Sequence, residues 1–351
     1  MKKLESEKIA ETLKSELETG RWRAGERLPS VAELRRRFGT GEFAVRHALQ
    51  NLRDDGFITL RQNAGAVVTQ KASNVWKGRV LFVAVGTYGS YFPHVLGMSV
   101  SQRLREHGWD CTTLFVNSGL DGSLDTDQIV RQIANGVDFV VNLAAERQIA
   151  ALFDSAGIPY VVLNGYAREY PNAVGVVRED ISGCYDALIK ALKRRFFDNV
   201  LEFDFERSMD RSFKTKLAAA GIAVRRVMCR LPASYALSDV KKSGYSAVEG
   251  FFADERHRRN PPKVVMFDDD YLALGGIAAM LEAGIRIPED MRVVTHSNKG
   301  NEMVLGHSVA RIENDPEFYG HVVVDYVLKL LAGRKVRPPR VPLRFVPGES
   351  L

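Results

Sequence analysis

The sequence predicts an α/β protein in which a small helical domain with a β-hairpin precedes a larger domain of two lobes built on parallel sheets. The first observation is a pair of short helical segments joined by a glycine-containing turn between residues 28 and 54. The second is the pattern after Arg79, where short apolar strands alternate with amphipathic helices. The third is that this alternation occurs as two consecutive sets. A chain of 351 residues is long enough for both sets and the small domain.

Residues 28–54 predict a helix-turn-helix. Ser30 is a suitable N-cap, and Glu33, three residues later, completes a capping box. Gly39 and Gly41 end this helix, after which apolar residues recur at helical spacing up to Leu52. The second helix of such a unit can enter the major groove of DNA and direct its N-terminal side chains toward base edges.

A helix and a hairpin flank this unit. Ile9, Leu13 and Leu17 form one apolar face of the preceding helix, and residues 57–60 and 66–69 have strand character. The loop between the two strands contains Asn63 and Gly65, which adopt positive φ more readily than most residues. A hairpin in this place is called a wing.

Together these residues resemble the winged-helix domain of the GntR family of bacterial regulators. The resemblance covers roughly the first seventy residues and is carried by Gly20, Gly25, Leu28-Pro29-Ser30, Glu33-Leu34, Phe38, Val45-Arg46, Ala48-Leu49, Leu52, Gly56 and Gly65. It implies binding to double-stranded operator DNA through the second helix of the helix-turn-helix and the wing. The implied contact residues are Ser30, Gly41, Glu42, Phe43, Arg46, His47, Asn63 and Gly65.

The chain departs from the family pattern at positions that usually contact DNA. Ala32 stands where the family usually has arginine, and Gly41-Glu42-Phe43-Ala44 stands where a Ser-Arg-Thr-Thr run is usual. Asn63 stands where glycine is usual, and Arg46 is the only one left of three usual arginines. Two hypotheses therefore stay open: operator binding with altered contacts, or a winged helix that no longer binds DNA normally.

Charge and composition agree with a nucleic-acid-binding N-terminal domain on an ordinary soluble protein. The net charge is +6, and residues 1–71 hold 14 Lys and Arg against 10 Asp and Glu, so most of the excess lies there. Cys111, Cys184 and Cys229 are far apart and have no metal-ligand spacing, which predicts buried thiols, no metal and no cofactor. The N-terminus lacks a signal-peptide pattern and no apolar run has membrane-spanning length, so a cytoplasmic protein with no membrane partner is expected.

The predicted domains are a winged helix-turn-helix at residues 1–70, a polar linker at 71–78, and a two-lobed domain for ligand sensing and dimerisation at 79–351. The strands expected in the last domain are 80–85, 112–116, 139–143, 160–163, 174–177, 199–203, 223–228, 263–267 and 292–295. Helices are expected at 92–106, 125–135, 146–156, 180–195, before 220, and at 241–252, 271–283 and 316–333. The last helix and an edge strand at 341–346 should cross back to complete the sheets, as in hinged two-lobed binding proteins.

Two stretches of this domain resemble the sensor domain of the lactose-repressor/galactose-repressor family, a fold shared with periplasmic sugar-binding proteins. They are PKVVMFDDDYLALG at 262–275 and AGIRIPEDMRVV at 283–294, with support from Asp180, Gly183 and LAAAGI at 217–222. The resemblance covers about residues 78–347. A GntR-type head on this sensor is similar in architecture to the arabinose repressors of Gram-positive bacteria.

Ligands of such folds bind at the carboxyl ends of the parallel strands, which selects the side chains that follow each strand. These candidates are Tyr88, Tyr91, Phe92, Asn164, Tyr166, Arg207, Arg211, Asp269, Asp270 and Asn298. Aromatic rings stack on sugars, and carboxylates, amides and guanidinium groups pair with hydroxyls, so a small polar effector such as a sugar is expected. The family usually has Asn in place of Asp269 and acidic residues in place of Ser297-Asn298, which leaves the ligand open.

The sequence thus predicts a ligand-responsive transcription regulator, a repressor, that binds operator DNA as a homodimer. The alternative is a ligand-binding protein with a degenerate winged helix. An enzyme is the third hypothesis, and it would depend on the cluster Asp268-Asp269-Asp270. No second acidic or lysine motif, Ser-His-Asp arrangement or glycine-rich phosphate loop accompanies that cluster, so catalysis is not expected.

Overall fold

The computed structural model describes residues 2–18, 21–22, 24–61, 65–69, 76–85, 90–117, 123–143, 146–205, 212–230, 237–303 and 305–351. Contacts divide the chain into two compact units, Met1–Arg79 with Leu104–Asp110, and Val80–Arg103 with Cys111–Leu351. Each unit has its own hydrophobic core. The predicted α/β fold with parallel sheets is confirmed.

The first unit contains the predicted helix-turn-helix and hairpin. Its elements are α1 (Lys2–Glu18), α2 (Val31–Phe38), α3 (Glu42–Asp54), β1 (Ile58–Arg61) and β2 (Gly65–Val68), and the two strands pair antiparallel. The capping box is formed, because Ser30 N–H donates to Glu33 Oε2 at 2.7 Å and Glu33 N–H donates to Ser30 Oγ at 3.3 Å. Gly39 ends α2 at φ 61°, a conformation that glycine adopts at little cost. Helix α2 therefore has a defined start at Ser30 and a defined end at Gly39, where the turn to α3 begins.

The first lobe of the second unit is a six-stranded sheet in the order β13-β7-β6-β5-β3-β4. Its elements are β3 (Arg79–Val85), α4 (Tyr91–Glu106), β4 (Asp110–Val116), α5 (Asp127–Ala134), β5 (Phe139–Asn142), α6 (Arg147–Ala156), β6 (Tyr160–Leu163) and β7 (Gly175–Asp180). The parallel pairs β3–β5, β5–β6 and β6–β7 form its centre. Every residue of β5 and β6 is buried, as expected for strands covered by helices on both faces.

The second lobe is another six-stranded sheet, in the order β14-β12-β11-β10-β8-β9. Its elements are α7 (Ser182–Arg194), β8 (Asn199–Phe205), α8 (Ser212–Ala219), β9 (Ala223–Cys229), α9 (Leu237–Ala253), α10 (Glu255–Arg259), β10 (Val264–Phe267), α11 (Asp270–Glu282), β11 (Arg292–Asn298) and β12 (Ala310–Asn314). Sequence patterns missed α10 and β12. One apolar cluster covers each face of this sheet.

The chain crosses between the lobes three times. It leaves the first lobe after β7, returns as α12 (Pro316–Leu331), and crosses again at Leu343. The predicted edge strand 341–346 is observed as two strands, because β13 (Arg340–Pro342) pairs parallel with β7 while β14 (Arg344–Val346) pairs antiparallel with β12. The segment does complete the sheets, as predicted, but it contributes one short strand to each.

Two glycines allow the closest helix packing of the second lobe, between α9 and α11. A Cβ at Gly275 would overlap the carbonyl oxygen of Lys241, and a Cβ at Gly244 would overlap that of Leu272. The backbones therefore touch at positions where no larger residue fits. Gly250, also in α9, has open space around the place of a Cβ.

We predict that Gly275→Ala destabilises the protein while Gly250→Ala does not. Overpacking a tight contact costs roughly 1–3 kcal/mol, whereas replacing glycine by alanine at an unobstructed helical site gains about 0.5–1 kcal/mol. Urea unfolding of the two variants beside the wild type measures the difference. Equal midpoints for the two variants would contradict the close approach of α9 and α11.

Candidate functional site

The outward face of α3 carries four of the residues that the sequence predicts as DNA contacts. Ala44, Val45, Ala48 and Leu49 are buried, which leaves Glu42, Phe43, Arg46 and His47 exposed. The Phe43 side chain is 69% exposed, and its ring stacks on His47 with 6.2 Å between centroids. An exposed aromatic at a helix N-terminus is available for apolar contact with a base edge.

Glu42 neutralises the positive charge nearest to it. Its carboxylate lies 2.7 Å from Arg46 Nη2 and 3.8 Å from Arg35 Nη1. All three side chains are about half exposed or more, so the pairs contribute little to stability. Their effect is on the local field, because two arginines that could reach phosphates lie beside a carboxylate instead.

The other predicted DNA contacts lie in the turn and the wing. Ser30 is exposed, but its hydroxyl serves the capping box, and Gly41 is the N-cap of α3 without a side-chain cap. Gly65 begins β2 at φ 71°, the positive value expected for the wing. Asn63 lies outside the described residues. The assignment of these residues to DNA contact stays a prediction.

A cavity of about 210 Å³, the interlobe cavity, lies where the strand ends of the two lobes meet. It is lined by Phe92, Asn164 and Glu179 of the first lobe, by Asp268, Asp269, Asp270, His296, Ser297, Asn298 and Asn314 of the second, and by Leu343 at the crossing. Ligand pockets are commonly about 300–1,000 Å³, so this volume suits a small ligand.

Five of the ten predicted ligand contacts line this cavity: Phe92, Asn164, Asp269, Asp270 and Asn298. Tyr91 is not in the lining. Its N–H donates to the Tyr271 hydroxyl across the lobes at 3.1 Å, and its own hydroxyl packs against Gly300. Tyr166 lies elsewhere, with the guanidinium of Arg178 4.5 Å from its ring centroid. Tyr88, Arg207 and Arg211 lie outside the described residues.

Sequence patterns missed six of the lining residues. Glu179 was missed because β7 continues three residues beyond the apolar run, and Asn314 because β12 was not expected. Asp268 and Ser297 directly precede the predicted contacts Asp269 and Asn298, and His296 directly follows the predicted strand end at Thr295; only one residue of each neighbouring pair was selected. Leu343 belongs to the crossing that splits the predicted edge strand.

Two hydrogen-bond networks organise the cavity wall. Glu179 Oε1 accepts from Asn164 Nδ2 at 3.2 Å and from Asn314 Nδ2 at 2.9 Å, which joins the two lobes. The hydroxyl of buried Tyr319 donates to Asn164 Oδ1 at 2.8 Å. Asn164 adopts φ 59°, an unusual value for a residue other than glycine, and these bonds hold it there.

The second network surrounds Asp270, which is 5% exposed at the first position of α11. Its Oδ2 accepts from Asn298 Nδ2 at 3.3 Å and from Asn301 Nδ2 at 3.1 Å. Burial raises the pKa of Asp270, and the two amide donors oppose that shift. The carboxylate is therefore held in place before any ligand arrives.

Burial also raises the pKa of the two preceding carboxyl groups. The pKa of Asp269 rises to about 7, through burial and then the charge of Asp270, although its Oδ1 caps α11 by accepting from Leu272 N–H at 2.8 Å. Burial and the nearby Asp204 raise the pKa of Asp268 well above its usual value. His296 Nε2 lies 3.3 Å from Asp268 Oδ1. The cavity thus concentrates carboxyl groups whose charged forms are costly.

A buried ion-pair cluster lies behind Asp268. Arg226 Nε is 2.6 Å from Glu202 Oε2, and Arg226 Nη1 is 3.5 Å from Asp204 Oδ2. Both carboxylates are almost completely buried, and burial raises the pKa of Glu202 despite the arginine. One guanidinium therefore faces two carboxylates, and Asp268 adds a third nearby.

A larger groove of about 600 Å³ lies between α9 and α11. It includes Tyr245, Val248, Phe252 and Ala279, together with Pro261, which precedes β10. That position is at the amino ends of the strands, where side chains of the two lobes do not converge. The interlobe cavity is therefore the better candidate for a polar ligand.

Two kinds of feature are absent from the part of the chain that the structure describes. No group of three or more His, Cys, Asp or Glu there is arranged to hold a metal ion. No helix there is long and apolar enough to cross a membrane.

Family models match both ends of the chain. Residues 5–68 match the model described as bacterial regulatory proteins, gntR family, and residues 198–351 match the periplasmic binding protein-like domain. The chain therefore combines a GntR-type helix-turn-helix domain at its N-terminus with a periplasmic-binding-protein-like domain. Both resemblances noted in the sequence are confirmed.

Curated relatives with partial matches are repressors. The histidine utilization repressor of Klebsiella aerogenes is 26% identical over 113 residues, covering 32% of this chain and 47% of the relative. The HTH-type transcriptional repressor PurR of Escherichia coli O1:K1 / APEC is 22% identical over 199 residues, covering 56% of each protein. The chain spans about half the length of these two relatives.

Similar solved structures include LacI-family regulators. One from Arthrobacter sp. FB24, in complex with lactose, has a TM-score of 0.62 at 17% identity and covers 78% of this chain and 99% of its own. The lac repressor dimer bound to operator and the anti-inducer ONPF has a TM-score of 0.58 at 16% identity, with 80% and 96% covered. At these identities the likeness shows the two-lobed fold alone.

We predict that Asp269→Asn raises the melting temperature at pH 8 but not at pH 4. Between the usual pKa of 3.8 and the folded value of about 7, the native state keeps a proton that the unfolded state has released. The contribution of this group to the free energy of unfolding is therefore complete below pH 4 and is lost as the pH rises through 7. Its size is about 1.4 kcal/mol for each unit of difference between the folded and unfolded pKa. Asparagine is about as good a helix N-cap as aspartate, and its side chain does not titrate. Thermal unfolding across pH 4–8 measures the effect.

Asp290→Asn is the control with the opposite sign. The hydrogen bonds from Arg286 lower the pKa of Asp290, so this variant should lose melting temperature at neutral pH. If Asp269→Asn shifted the melting temperature equally at pH 4 and pH 8, the raised pKa of Asp269 would be wrong.

Proposed function

We propose that this protein is a ligand-responsive transcription repressor that binds operator DNA as a homodimer and holds a small polar effector in the interlobe cavity. The observation that carries the proposal is the convergence of polar side chains from both lobes on one cavity, in a chain that also has a GntR-type helix-turn-helix domain. The relatives named above are repressors, which agrees with regulation rather than catalysis.

The mechanism follows from where the effector would bind. A ligand that contacts Glu179 of one lobe and Asp270 of the other favours the arrangement in which the two are close. Binding therefore shifts the population of lobe arrangements by the difference in its affinity for them. Closure changes the geometry of the dimer, which sets the spacing of the two winged helices on a pseudo-palindromic operator.

Exposed apolar side chains on the second unit support the homodimer. Met98 of α4 is 71% exposed, and Leu274 and Leu281 of α11 are 38% and 52% exposed. Such residues occur singly on most surfaces, but two on one face of one helix form a patch suited to a symmetric partner. In a symmetric homodimer formed through this patch, Leu274 and Leu281 of both copies would be buried.

The surroundings of Glu42 support a second function, which is ligand sensing without normal operator binding. Because this carboxylate pairs with Arg46 and lies near Arg35, the N-terminus of α3 is poorer in available positive charge than a phosphate-contacting helix requires. In that case the protein senses its ligand without normal operator binding. Glu42 can also accept a hydrogen bond from a cytosine amino group, which would instead change the base preference by roughly 1–3 kcal/mol at one base pair.

We predict that Glu42→Gln and Glu42→Arg strengthen binding to duplex DNA. The first releases two arginines, and the second adds a cation, which should steepen the slope of log K against log salt by about one per subunit. Fluorescence anisotropy with DNA from upstream of the protein's own coding sequence, at several salt concentrations, measures both quantities. Asp54→Asn, at the other end of α3, changes the charge by the same amount as Glu42→Gln and should have a smaller effect.

If the Glu42 variants behave like Asp54→Asn, the N-terminus of α3 does not face DNA. If the wild type and Glu42→Arg both fail to bind its own upstream DNA at low salt, the sensing-only function replaces the repressor.

We predict that Leu281→Asp weakens the dimer by about 100-fold or more. Burying a leucine is worth roughly 1.5–3 kcal/mol, and a two-fold symmetric contact loses this contribution twice. Sedimentation velocity of the full chain over a concentration series gives the dissociation constant. Phe196→Asp is the matched control, because Phe196 is 93% exposed between α7 and β8, and α7 packs in a different apolar cluster from α11. A dimer unaffected by Leu281→Asp would place the interface elsewhere.

A further inference from the structure

The interlobe cavity has a strongly one-sided charge. Four of its eleven lining residues are carboxylic acids, namely Glu179, Asp268, Asp269 and Asp270. Neither lysine nor arginine occurs among the lining residues that the structure describes. A phosphorylated or carboxylated ligand would add negative charge beside carboxyl groups whose charged forms are already costly, and a neutral sugar would not stabilise those charged forms.

The side-chain amide groups of the wall already donate to its carboxylates. The side-chain amide nitrogens of Asn164 and Asn314 donate to Glu179, and that of Asn298 donates to Asp270. The orientation of Asn314 follows from this contact, since its reversal would place two oxygens together. What the wall still offers a ligand is therefore mostly acceptor oxygens.

Two buried polar atoms of the wall have no hydrogen-bond partner among the residues that the structure describes. Ser297, 5% exposed, has an unpartnered Oγ, and the Oδ1 of Asn314 is also unpartnered. Leaving such groups without partners costs free energy, and native proteins rarely do so. Both residues line the cavity, so a rotation of either side chain would bring its oxygen within reach of a bound molecule. This observation is independent of the charge: the Asn314 oxygen can only accept and the Ser297 hydroxyl can accept or donate, so a ligand with hydrogen-bond donors would satisfy both.

We propose that the interlobe cavity binds a small organic cation, a molecule with a protonated amine and further hydrogen-bond donors. The identification rests on the proposed function, because it names the class of effector for the same cavity. The ammonium group lies among Glu179, Asp269 and Asp270, and the remaining donors satisfy Ser297 and Asn314. Phe92 adds an aromatic ring to the wall, and such rings attract cations.

The ionisation of the wall supports this assignment. Burial and mutual repulsion raise the pKa of Asp269 to about 7, so this group holds a proton part of the time at neutral pH. A cation beside it favours the charged form and expels that proton. Binding at pH 7 should therefore release a fraction of a proton, which appears as an enthalpy that depends on the ionisation enthalpy of the buffer.

The test uses the full chain and ligand pairs that differ in one group. Glucosamine is compared with glucose, putrescine with 1,4-butanediol, and glucose 6-phosphate and Ca²⁺ alone are added as an anion and an inorganic cation. We expect that the amine of at least one pair raises the melting temperature. Calorimetry should then give an affinity at least 100-fold above that of its neutral partner.

Variants locate the binding. Glu179→Gln and Asp270→Asn keep the shape of the side chains and should each weaken the amine at least 10-fold, and Ser297→Ala should weaken it several-fold. Glu289→Gln, outside the cavity, is the matched control and should leave the affinity unchanged.

Each other outcome overturns the proposal. Equal or tighter binding of the neutral partners would replace the cation by a sugar or diol, and the proposed regulator with an interlobe effector would stand. Binding of glucose 6-phosphate, an equal shift from Ca²⁺, or no shift from any amine would also reject the organic cation. The DNA-binding experiments with the Glu42 variants report on the regulator separately, since they need no effector.

Discussion

The parallel direction of the strands is the constraint on which the interlobe cavity depends. In a parallel sheet all strands have their carboxyl ends on the same side. Residues that are distant in sequence therefore come together there without any direct attraction between them. Asn164 follows β6, Asp270 follows β10, and Asn298 and Asn314 end β11 and β12. The hydrophobic strands therefore position the polar wall, and the hydrogen bonds among these side chains refine that arrangement.

That constraint also explains how much of the site could be predicted from the sequence. Asn164, Asp269 and Asp270 follow apolar runs, which made the strand ends visible. Tyr166 follows β6 just as closely, but arginine side chains pack near its ring and it does not line the cavity. Position after a strand selects candidates, whereas the direction of the side chain depends on local packing that the spacing does not encode.

β12 shows the limit of reading strands from hydrophobicity. Three of its five residues, Arg311, Glu313 and Asn314, are polar, and the first two form an ion pair of 2.6 Å. The strand lies between β11 and the short edge strand β14, where it does not need to be apolar on both faces. Because β12 was not predicted, Asn314 was not recognised as a residue of the cavity.

The helix-turn-helix was easier to predict, because the capping box and the glycine turn are local signals whose structure does not depend on distant contacts.

The three crossings have a consequence for how the second unit is made. Neither lobe is a continuous stretch of chain, since α12 and β13 return to the first lobe and β14 to the second. During synthesis the N-terminal part leaves the ribosome first, and domains generally fold as they emerge. Here one edge strand of each sheet comes from residues 340–346, so both sheets must wait for the same late segment. The two lobes are therefore completed together, and the exposed edges of β7 and β12 are open to wrong pairing until then.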